Sequence, residues 1–202
     1  MEIKMNDITG TSKKRPDRRQ IKTKRAIRDA LITLMEDKDI SQITIRELSD
    51  CADINRKTFY AHYNSVEDVL DEIEDNILAG LAELMRAGGI GGGSIDPDFI
   101  FRSINAIINK DIDFYSHFAR TGLISFLQTK VKNFFRESLT EYIASNTDTD
   151  KATVPFVSEF IASGMVALYV DWFDGESRIS LSELADLAAN LMANGLGGII
   201  GA

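Results

Sequence analysis

A nine-residue segment, Asn55-Arg-Lys-Thr-Phe-Tyr-Ala-His-Tyr63, concentrates side chains that can bind anions and nucleotide bases. Asparagine is a good helix N-cap, so a short helix is expected from Arg56 to about His62. Phe59 and Tyr63 are four residues apart on this helix and share one face, which predicts that they pack inward. Arginine and lysine can contact guanine edges or phosphate, and threonine, tyrosine and histidine suit phosphate oxygens. The residues left on or near the other faces are Arg56, Lys57, Thr58, Tyr60 and His62.

The residues before this segment predict the elements that position it. Apolar residues between Arg18 and Glu36 recur mostly at three- and four-residue spacing, the period of an amphipathic helix. Thr44 and Glu47 form a capping-box pattern that begins a second, short helix, which ends by Asp53. Two short helices separated by about three residues, behind a longer one, indicate a helix-turn-helix unit, whose second helix enters the major groove of DNA. The N-terminus of the helix after Thr44 can also bind a phosphate.

Charge is distributed unevenly along the chain. The formal net charge is −8, yet residues 1–64 hold 14 Lys and Arg against 10 Asp and Glu, a local charge of +4. Residues 65–202 hold 9 Lys and Arg against 21 Asp and Glu, a local charge of −12. A solvated helix face with a basic tail would explain the positive charge by itself. Because the positive charge lies beside a helix-turn-helix pattern, it instead favours a polyanionic partner that contacts only the N-terminal part of the chain.

The rest of the chain predicts further helices and no strands. Apolar stripes at helical spacing occur at about 65–85, 97–109, 111–118, 122–145, 153–174 and 180–194. The glycine-rich stretch from Gly88 to Ser94 interrupts them, since glycine disfavours regular structure. The expected fold class is all-α, with an N-terminal three-helix helix-turn-helix domain, a C-terminal helical bundle and about nine helices in total.

Several function classes find no support in the sequence. One cysteine and two histidines, spread along the chain, give no transition-metal spacing, and no glycine motif that cradles phosphate precedes a helix. No carboxylate pairs with an activated nucleophile, so we expect no catalytic residue, no metal, no cofactor and no enzyme activity. No run approaches about 20 consecutive apolar residues and no secretory signal is present, which predicts a cytoplasmic protein without membrane contact.

Cys51 and His117 have unremarkable interpretations. Cys51 is expected to pack as a small hydrophobe beside the short helix that begins at Arg56. A redox role would require an exposed thiol with a low pKa, which leaves that role open. His117, among aromatic residues, is expected to be a satisfied core or surface residue.

The run from Thr44 to Leu70 resembles the signature of the TetR family of bacterial transcriptional regulators, most specifically in Thr58-Phe-Tyr-Ala-His-Tyr63. With the helix before it, the similarity covers about residues 18–70. The resemblance implies an all-helical homodimer that binds a palindromic double-stranded operator. It implies DNA contacts from Thr44, Arg56, Lys57, Thr58, Tyr60 and His62, of which Arg56 and Lys57 reach bases.

The family resemblance also implies a domain organisation. A disordered basic tail would comprise residues 1–17, the DNA-binding domain residues 18–64, the ligand-binding and dimerisation domain residues 65–195, and a flexible tail residues 196–202. The C-terminal domain would bind an unknown small-molecule effector and dimerise through the last two long helices. Such a protein is most simply a repressor that its ligand releases from DNA.

Two positions depart from the family pattern. Asp53 stands in the turn where the family usually has glycine, and Val66 stands where a lysine often contacts phosphate. Aspartate tolerates left-handed geometry better than most residues, at some cost. The alternative is therefore a protein-binding coactivator or regulatory module with weakened DNA recognition.

The C-terminal half resembles, more weakly, a subgroup common in Gram-positive bacteria that includes regulators of dihydroxyacetone kinase operons. Gly164–Gly175 and Ser180–Ala185 carry this similarity. An aromatic-rich bundle of this kind would hold an apolar ligand, and Trp172 with Phe173 would contribute to the dimer interface. The residues expected near the ligand are Phe101, Tyr115, Phe126, Met165 and Tyr169.

Overall fold

The computed structural model describes residues 18–89, 96–120, 126–175 and 178–195, and this part of the chain contains helices and no strand. A short 3-10 turn, Ile40–Gln42, follows the first helix, and a π-helix, Leu127–Val131, precedes the seventh. The all-α class is confirmed, and the residues that the structure describes contain nine α-helices, as predicted. The helices are α1 Arg18–Met35, α2 Ile45–Cys51, α3 Arg56–Tyr60, α4 Val66–Ala87, α5 Pro97–Lys110, α6 Ile112–Arg120, α7 Lys132–Asn146, α8 Val154–Phe173 and α9 Leu181–Asn194.

The first three helices form the predicted helix-turn-helix. Thr44 and Glu47 make the expected capping box at the start of α2. Asn55 caps α3, because its Oδ1 accepts a hydrogen bond of 2.8 Å from the backbone N–H of Thr58. Asp53, between the two helices, has a φ of 53°, which is the left-handed conformation expected for this turn. Helix α3 ends at Tyr60 rather than near His62, although the backbone N–H of His62 still donates to the carbonyl of Phe59.

Helix α4 connects this unit to the rest of the molecule. Ser65 caps its N-terminus by accepting a hydrogen bond from the backbone N–H of Asp68, and the helix runs for 22 residues. Its early turns pack on α1, and α5 also packs against it. The helix ends at Gly88, where a Cβ would lie 2.5 Å from Cγ1 of Ile100, so a larger residue would clash. Residues 90–94 of the predicted glycine loop lie outside the described residues, as do both predicted tails, residues 1–17 and 196–202.

The C-terminal helices pack as two pairs. Helix α5 lies along α9, and α7 lies along α8. The predicted helix at 122–145 is observed in part, as the π-helix followed by α7, and residues 121–125 lie outside the described residues. The other C-terminal helices begin and end within two residues of their predicted bounds. Buried Phe101, Phe118, Leu139 and Ala162 belong to the core that these helices enclose.

Helix α8 is the one helix, among the described residues, with the length and composition to cross a membrane. It has 20 residues, and the mean hydropathy of its most apolar window is 1.4. The predicted helix at 153–174 anticipated this length, but the sequence predicted no membrane span, because Glu159 and Asp171 interrupt the run of apolar residues. The core helix of a globular protein can meet the same criteria, so the observation is weak evidence for a membrane span.

Candidate nucleic-acid interface and ligand cavity

Helix α3 presents its polar side chains to solvent over one buried aromatic residue. Phe59 is 0% exposed, whereas Arg56, Lys57 and Tyr60 are exposed. The Phe59 ring meets the Tyr60 ring edge-on, with 5.9 Å between centroids, and lies 5.8 Å from the Tyr63 ring. No described residue forms an ion pair with Arg56 or Lys57. Both cations are thus available to an external anion.

The two predicted threonine contacts have local partners. The Thr44 hydroxyl accepts from the backbone N–H of Glu47 at 3.2 Å and lies 2.8 Å from Glu47 Oε2. The Thr58 hydroxyl donates to Asn55 Oδ1 at 3.1 Å. Both residues lie at the N-terminus of a helix, but the Thr44 hydroxyl already caps α2 and the Thr58 hydroxyl is already bonded to Asn55, the cap of α3. His62 is half-buried, just beyond the C-terminus of α3.

Glu47 is held by several donors. Lys38 Nζ donates to its Oε1 at 2.6 Å, and the backbone N–H of Thr44 donates to its Oε2 at 3.0 Å. The hydrogen bond from Lys38, followed by those from the Thr44 backbone and side chain, lowers the pKa of Glu47 to about 2. The Glu47 carboxylate therefore remains charged at neutral pH and fixes the start of α2.

A second polar cluster fixes α3 against α1 and α4. The buried Tyr63 hydroxyl donates to Glu72 Oε1 at 3.2 Å, and Lys24 Nζ lies 2.5 Å from Glu72 Oε2. The Lys24 ammonium also lies 5.2 Å from the Tyr63 ring centroid. Burial, followed by the neighbouring Glu72 carboxylate, raises the pKa of Tyr63. The inward position of Tyr63 was predicted from spacing, but its partners were not, because they lie on other helices.

Cys51 does not pack as predicted. It is exposed at the end of α2, with Sγ 4.0 Å from the carbonyl oxygen of Ala30. Leu48 and Ala52, four residues apart, occupy the inward face at this end of the helix. Cys51 lies at the edge of that face and is left in solvent.

The C-terminal helices enclose an apolar cavity of about 150 Å³. Tyr115, Met165 and Tyr169 line it as predicted. Phe101 and Phe126 do not line it, because both are buried in the packing between helices, and Phe126 contacts the cavity residue Phe118 edge-on at 5.8 Å. The sequence interpretation missed the wall contributed by α4 and the contribution of Phe173, which had been expected in the dimer interface. The lining residues missed on α4 are Asn76, Ile77, Gly80 and Leu81.

A hydrogen-bond chain fixes one wall of the cavity. The Tyr169 hydroxyl donates to Oδ1 of buried Asn105 at 2.8 Å, and Asn105 Nδ2 donates to the carbonyl oxygen of Leu181. Burial raises the pKa of Tyr169, so the hydroxyl keeps its proton at neutral pH. The chain connects α8, α5 and the start of α9.

Ion pairs and a ring contact connect α1 to α6 and to the residue before it. Arg28 Nη2 lies 2.7 Å from Asp111 Oδ2, and the Arg28 guanidinium lies 3.9 Å from the Phe114 ring centroid. His117, whose satisfied state the sequence predicted, lies with Nε2 2.7 Å from Oε1 of Glu36 at the end of α1. Phe114 stacks on Phe118 at 5.6 Å, and Phe118 lines the cavity. A continuous set of contacts therefore extends from the cavity to the N-terminal helix.

A buried carboxylate connects α4 to the π-helix. Glu74 is buried on α4 and forms an ion pair with Lys130. The next residue, Val131, lines the cavity. Among the described residues, no group of three or more His, Cys, Asp or Glu side chains could hold a metal ion.

The exposed cationic helix over a buried anchor and the apolar cavity define a helix-turn-helix unit joined to a helical domain with a ligand-sized cavity. Residues 96–194 match the TetR C-terminal family described as "Transcriptional regulator C-terminal region". The C-terminal region of the chain therefore resembles the C-terminal region of TetR-type transcriptional regulators.

Known proteins are similar to different parts of the chain. An uncharacterized HTH-type transcriptional regulator, YxbF of Bacillus subtilis (strain 168), is 36% identical over 59 residues. That match covers 29% of this chain and 16% of the length of YxbF.

Solved structures of low identity share the fold over most of the chain. The fatty acid degradation regulator FadR from Bacillus halodurans has a TM-score of 0.65 at 14% identity, covering 91% of this chain and 98% of FadR. The dihydroxyacetone kinase operon activator DhaS has a TM-score of 0.55 at 20% identity, covering 85% of this chain and 94% of DhaS. A TetR transcriptional regulator from Streptococcus agalactiae 2603V has a TM-score of 0.51 at 20% identity, covering 87% of this chain and 96% of that regulator.

Proposed function

We propose that this protein is a sequence-specific DNA-binding repressor that acts in the cytoplasm and is released by a small molecule. The observation that carries this proposal is the exposure of Arg56, Lys57 and Tyr60 on a helix held from below by fully buried Phe59. A recognition helix must present donors outward and keep an anchor inward. The body of the protein, with its local charge of −12, would be repelled by DNA and so favour an approach by residues 18–64.

The proposed DNA contacts divide by chemistry. Arg56 and Lys57, which have no ion-pair partner among the described residues, would reach base edges. Thr44, Thr58, Tyr60 and His62 would contact phosphates. The Thr44 hydroxyl donates to Glu47 Oε2 and the Thr58 hydroxyl donates to Asn55 Oδ1. Because phosphate oxygens only accept, each would have to give up its present hydrogen bond to contact DNA, so these two would contribute less than the others.

The proposed active form is a homodimer through the last two long helices, α8 and α9. Phe156 and Phe160, one turn apart on α8, are 77% and 81% exposed. Large aromatic side chains with this exposure favour burial against another surface. A twofold axis there would place two recognition helices in successive major grooves, on a palindromic operator.

Helix α4 is the proposed connection between ligand and DNA. Ile77, Gly80 and Leu81 of α4 line the cavity, and the first turns of the same helix pack against α1. A ligand in the cavity would pivot α4 and change the separation of the two recognition helices. A ligand that binds in the cavity and leaves operator affinity unchanged would contradict this mechanism.

A gel-shift assay with the promoter of the protein's own gene tests DNA recognition. We expect Arg56→Ala to weaken binding at least tenfold, since one good base contact contributes about 1–3 kcal/mol. Arg86→Ala, at an exposed position near the far end of α4, is the matched control and should bind like the wild type. Equal affinity of the wild type and Arg56→Ala would exclude α3 as the recognition helix, and genome-wide footprinting of both would locate the operators.

A protein-binding coactivator or regulatory module is the second candidate. Val66 is buried, so the N-terminus of α4 has no cation at the position where the family often has lysine. DhaS, which shares the fold, is described as an operon activator. Absence of a shift on promoter fragments that footprinting selects would favour this candidate.

A further inference from the structure

The cavity of the C-terminal bundle is lined by uncharged side chains. Five helices and the end of the π-helix contribute to its wall, and most contributions are aliphatic, aromatic or thioether groups. The polar lining side chains are the amide of Asn76 and the phenols of Tyr115 and Tyr169. The described lining includes no arginine, lysine, histidine or carboxylate.

One of these three polar side chains is already hydrogen-bonded within the protein. The Tyr169 hydroxyl donates its proton to Asn105, so it can offer a ligand only an acceptor. Asn76 is exposed although it lines the cavity, which places it at an opening beside α4. The interior therefore cannot replace the water around an ion, and burial of an unpaired charge is strongly unfavourable.

The surroundings disfavour ions of either sign. An anion would approach through a body of net charge −12 and find no cation among the lining residues that the structure describes. A cation could contact aromatic rings, but such contacts are weaker than the cost of burying a charge without a counter-ion, and none of the described lining residues is a carboxylate. Glu74, the buried carboxylate on α4, lies outside the lining and is paired with Lys130.

We infer that the cavity binds an uncharged, predominantly apolar molecule about the size of one substituted aromatic ring. An apolar cavity of about 150 Å³ accommodates a molecule as large as benzene. This inference rests on the proposed ligand-responsive function of the same cavity, and it names the chemical class of the ligand.

Three probes of nearly the same shape test the charge requirement. Nitrobenzene is neutral, whereas at pH 7 benzoate carries −1 and benzamidinium carries +1. Calorimetric titration of the full chain without DNA should show nitrobenzene binding. Benzoate and benzamidinium should bind at least tenfold more weakly, which corresponds to about 1.4 kcal/mol. Binding of either ion as tightly as nitrobenzene, or no binding of nitrobenzene, would overturn the inference.

A cavity-filling variant tests the location. A Cβ added at Gly80 would lie 4.0 Å from Cδ1 of Ile107, an ordinary contact, and both residues line the cavity. Gly80→Leu should therefore occupy the ligand volume while favouring the helix, because leucine has the higher helix propensity. We expect it to weaken nitrobenzene binding at least tenfold, with Ala79→Leu, at the exposed neighbouring position, as the matched control. Wild-type affinity in Gly80→Leu would place the ligand elsewhere and overturn the inference.

The operator assay separates this inference from the proposed function. Nitrobenzene that binds the wild type and leaves operator affinity unchanged would contradict ligand-controlled release but support the chemical class. Tight benzoate binding that releases the operator would support ligand control and overturn the chemical class.

Discussion

Asp53, in the turn between α2 and α3, has a left-handed backbone conformation. Its φ of 53° lies in the left-handed region, which is unfavourable for residues with a Cβ and favourable for glycine. Ile54 and Asn55 follow directly, so the conformation of Asp53 sets where the cap of α3 begins. The departure from glycine at this position therefore stores a small strain beside the proposed recognition helix.

Replacing Asp53 with glycine should relieve this strain. We expect Asp53→Gly to increase the free energy of unfolding by about 0.5–1 kcal/mol, without loss of DNA binding. Asp50→Gly is the matched control, because Asp50 is an exposed residue within α2, where the lower helix propensity of glycine should destabilise by about 0.3 kcal/mol. Urea denaturation measures both, and a loss of stability in Asp53→Gly would show that the aspartate side chain contributes more than its backbone strain removes.

Glu47 gives the start of α2 a dependence on acid. Its pKa in the folded protein, about 2, lies below the ordinary 4.5, so it contributes stability above about pH 4.5 that is lost as the pH falls toward 2. Glu47→Gln should flatten the stability profile in this window, because the amide does not titrate. Glu83→Gln, on the exposed face of α4, serves as the control. Urea denaturation between pH 2 and 6 measures the dependence of stability on pH. If Glu47→Gln showed the same dependence as the wild type, Glu47 would not be its source.

Residues close in sequence were the predictable ones. The caps at Thr44, Asn55 and Ser180 depend on groups three residues apart, so the sequence contains both partners. Assignment of Phe101 and Phe126 to the cavity was wrong because it required knowing which neighbouring helix each ring would meet. The roles of Lys24 and Glu74 were missed for the same reason, since their partners are 48 and 56 residues away.

At the scale of elements, α6 is in contact with both proposed functional regions. Tyr115, Phe118 and Ala119 of α6 line the cavity, and the same helix contacts α1 through Phe114 and His117. Asp111, immediately before α6, forms ion pairs with two arginines of α1. Its Oδ2 lies 2.7 Å from Nη2 of Arg28, and its Oδ1 lies 3.8 Å from Nη2 of Arg25. Movement of α6 on ligand binding would therefore alter contacts of the N-terminal domain in addition to those of α4.

Asp111→Asn tests the strength of this junction. The side chains of Arg28 and Asp111 are 27% and 26% exposed, so their pair is less screened than a surface pair. We expect the variant to lower the free energy of unfolding by about 1 kcal/mol and to reduce its dependence on salt. Asp98→Asn is the control, because the pair of Asp98 with Arg102 is more exposed and should contribute less than about 0.5 kcal/mol. Equal effects in urea denaturation at low salt would indicate that Asp111 is no more than a surface partner.

Helix bounds were predictable where a cap or a proline is present, as at Ser65 and Pro97. The π-helix Leu127–Val131 was not, because its sequence has the same apolar spacing as a regular helix. Two consecutive residues of the π-helix make contacts with its surroundings: Lys130 pairs with Glu74, and Val131 lines the cavity. Such a local change of helical pitch depends on tertiary partners and is often found at functional sites.

At the scale of the whole molecule, the chain separates its charge between two regions. The first 64 residues have a local charge of +4 and the remaining residues −12. Apart from α8 with its exposed phenylalanines, the described surface has few large exposed hydrophobic side chains. An acidic body repels a second body, so the proposed dimer requires an apolar contact that exceeds this repulsion.

Phe160→Glu should separate the proposed dimer. The substitution removes an 81% exposed aromatic side chain from the proposed interface and adds a negative charge facing its symmetry mate. Because two recognition helices must bind together, the monomer should also lose most of its affinity for a palindromic operator while keeping its fold. Phe99→Glu is the matched control, since Phe99 is a 41% exposed aromatic residue on α5. Sedimentation equilibrium gives the mass of each variant, and a dimeric Phe160→Glu beside a monomeric Phe99→Glu would move the interface from α8 to α5.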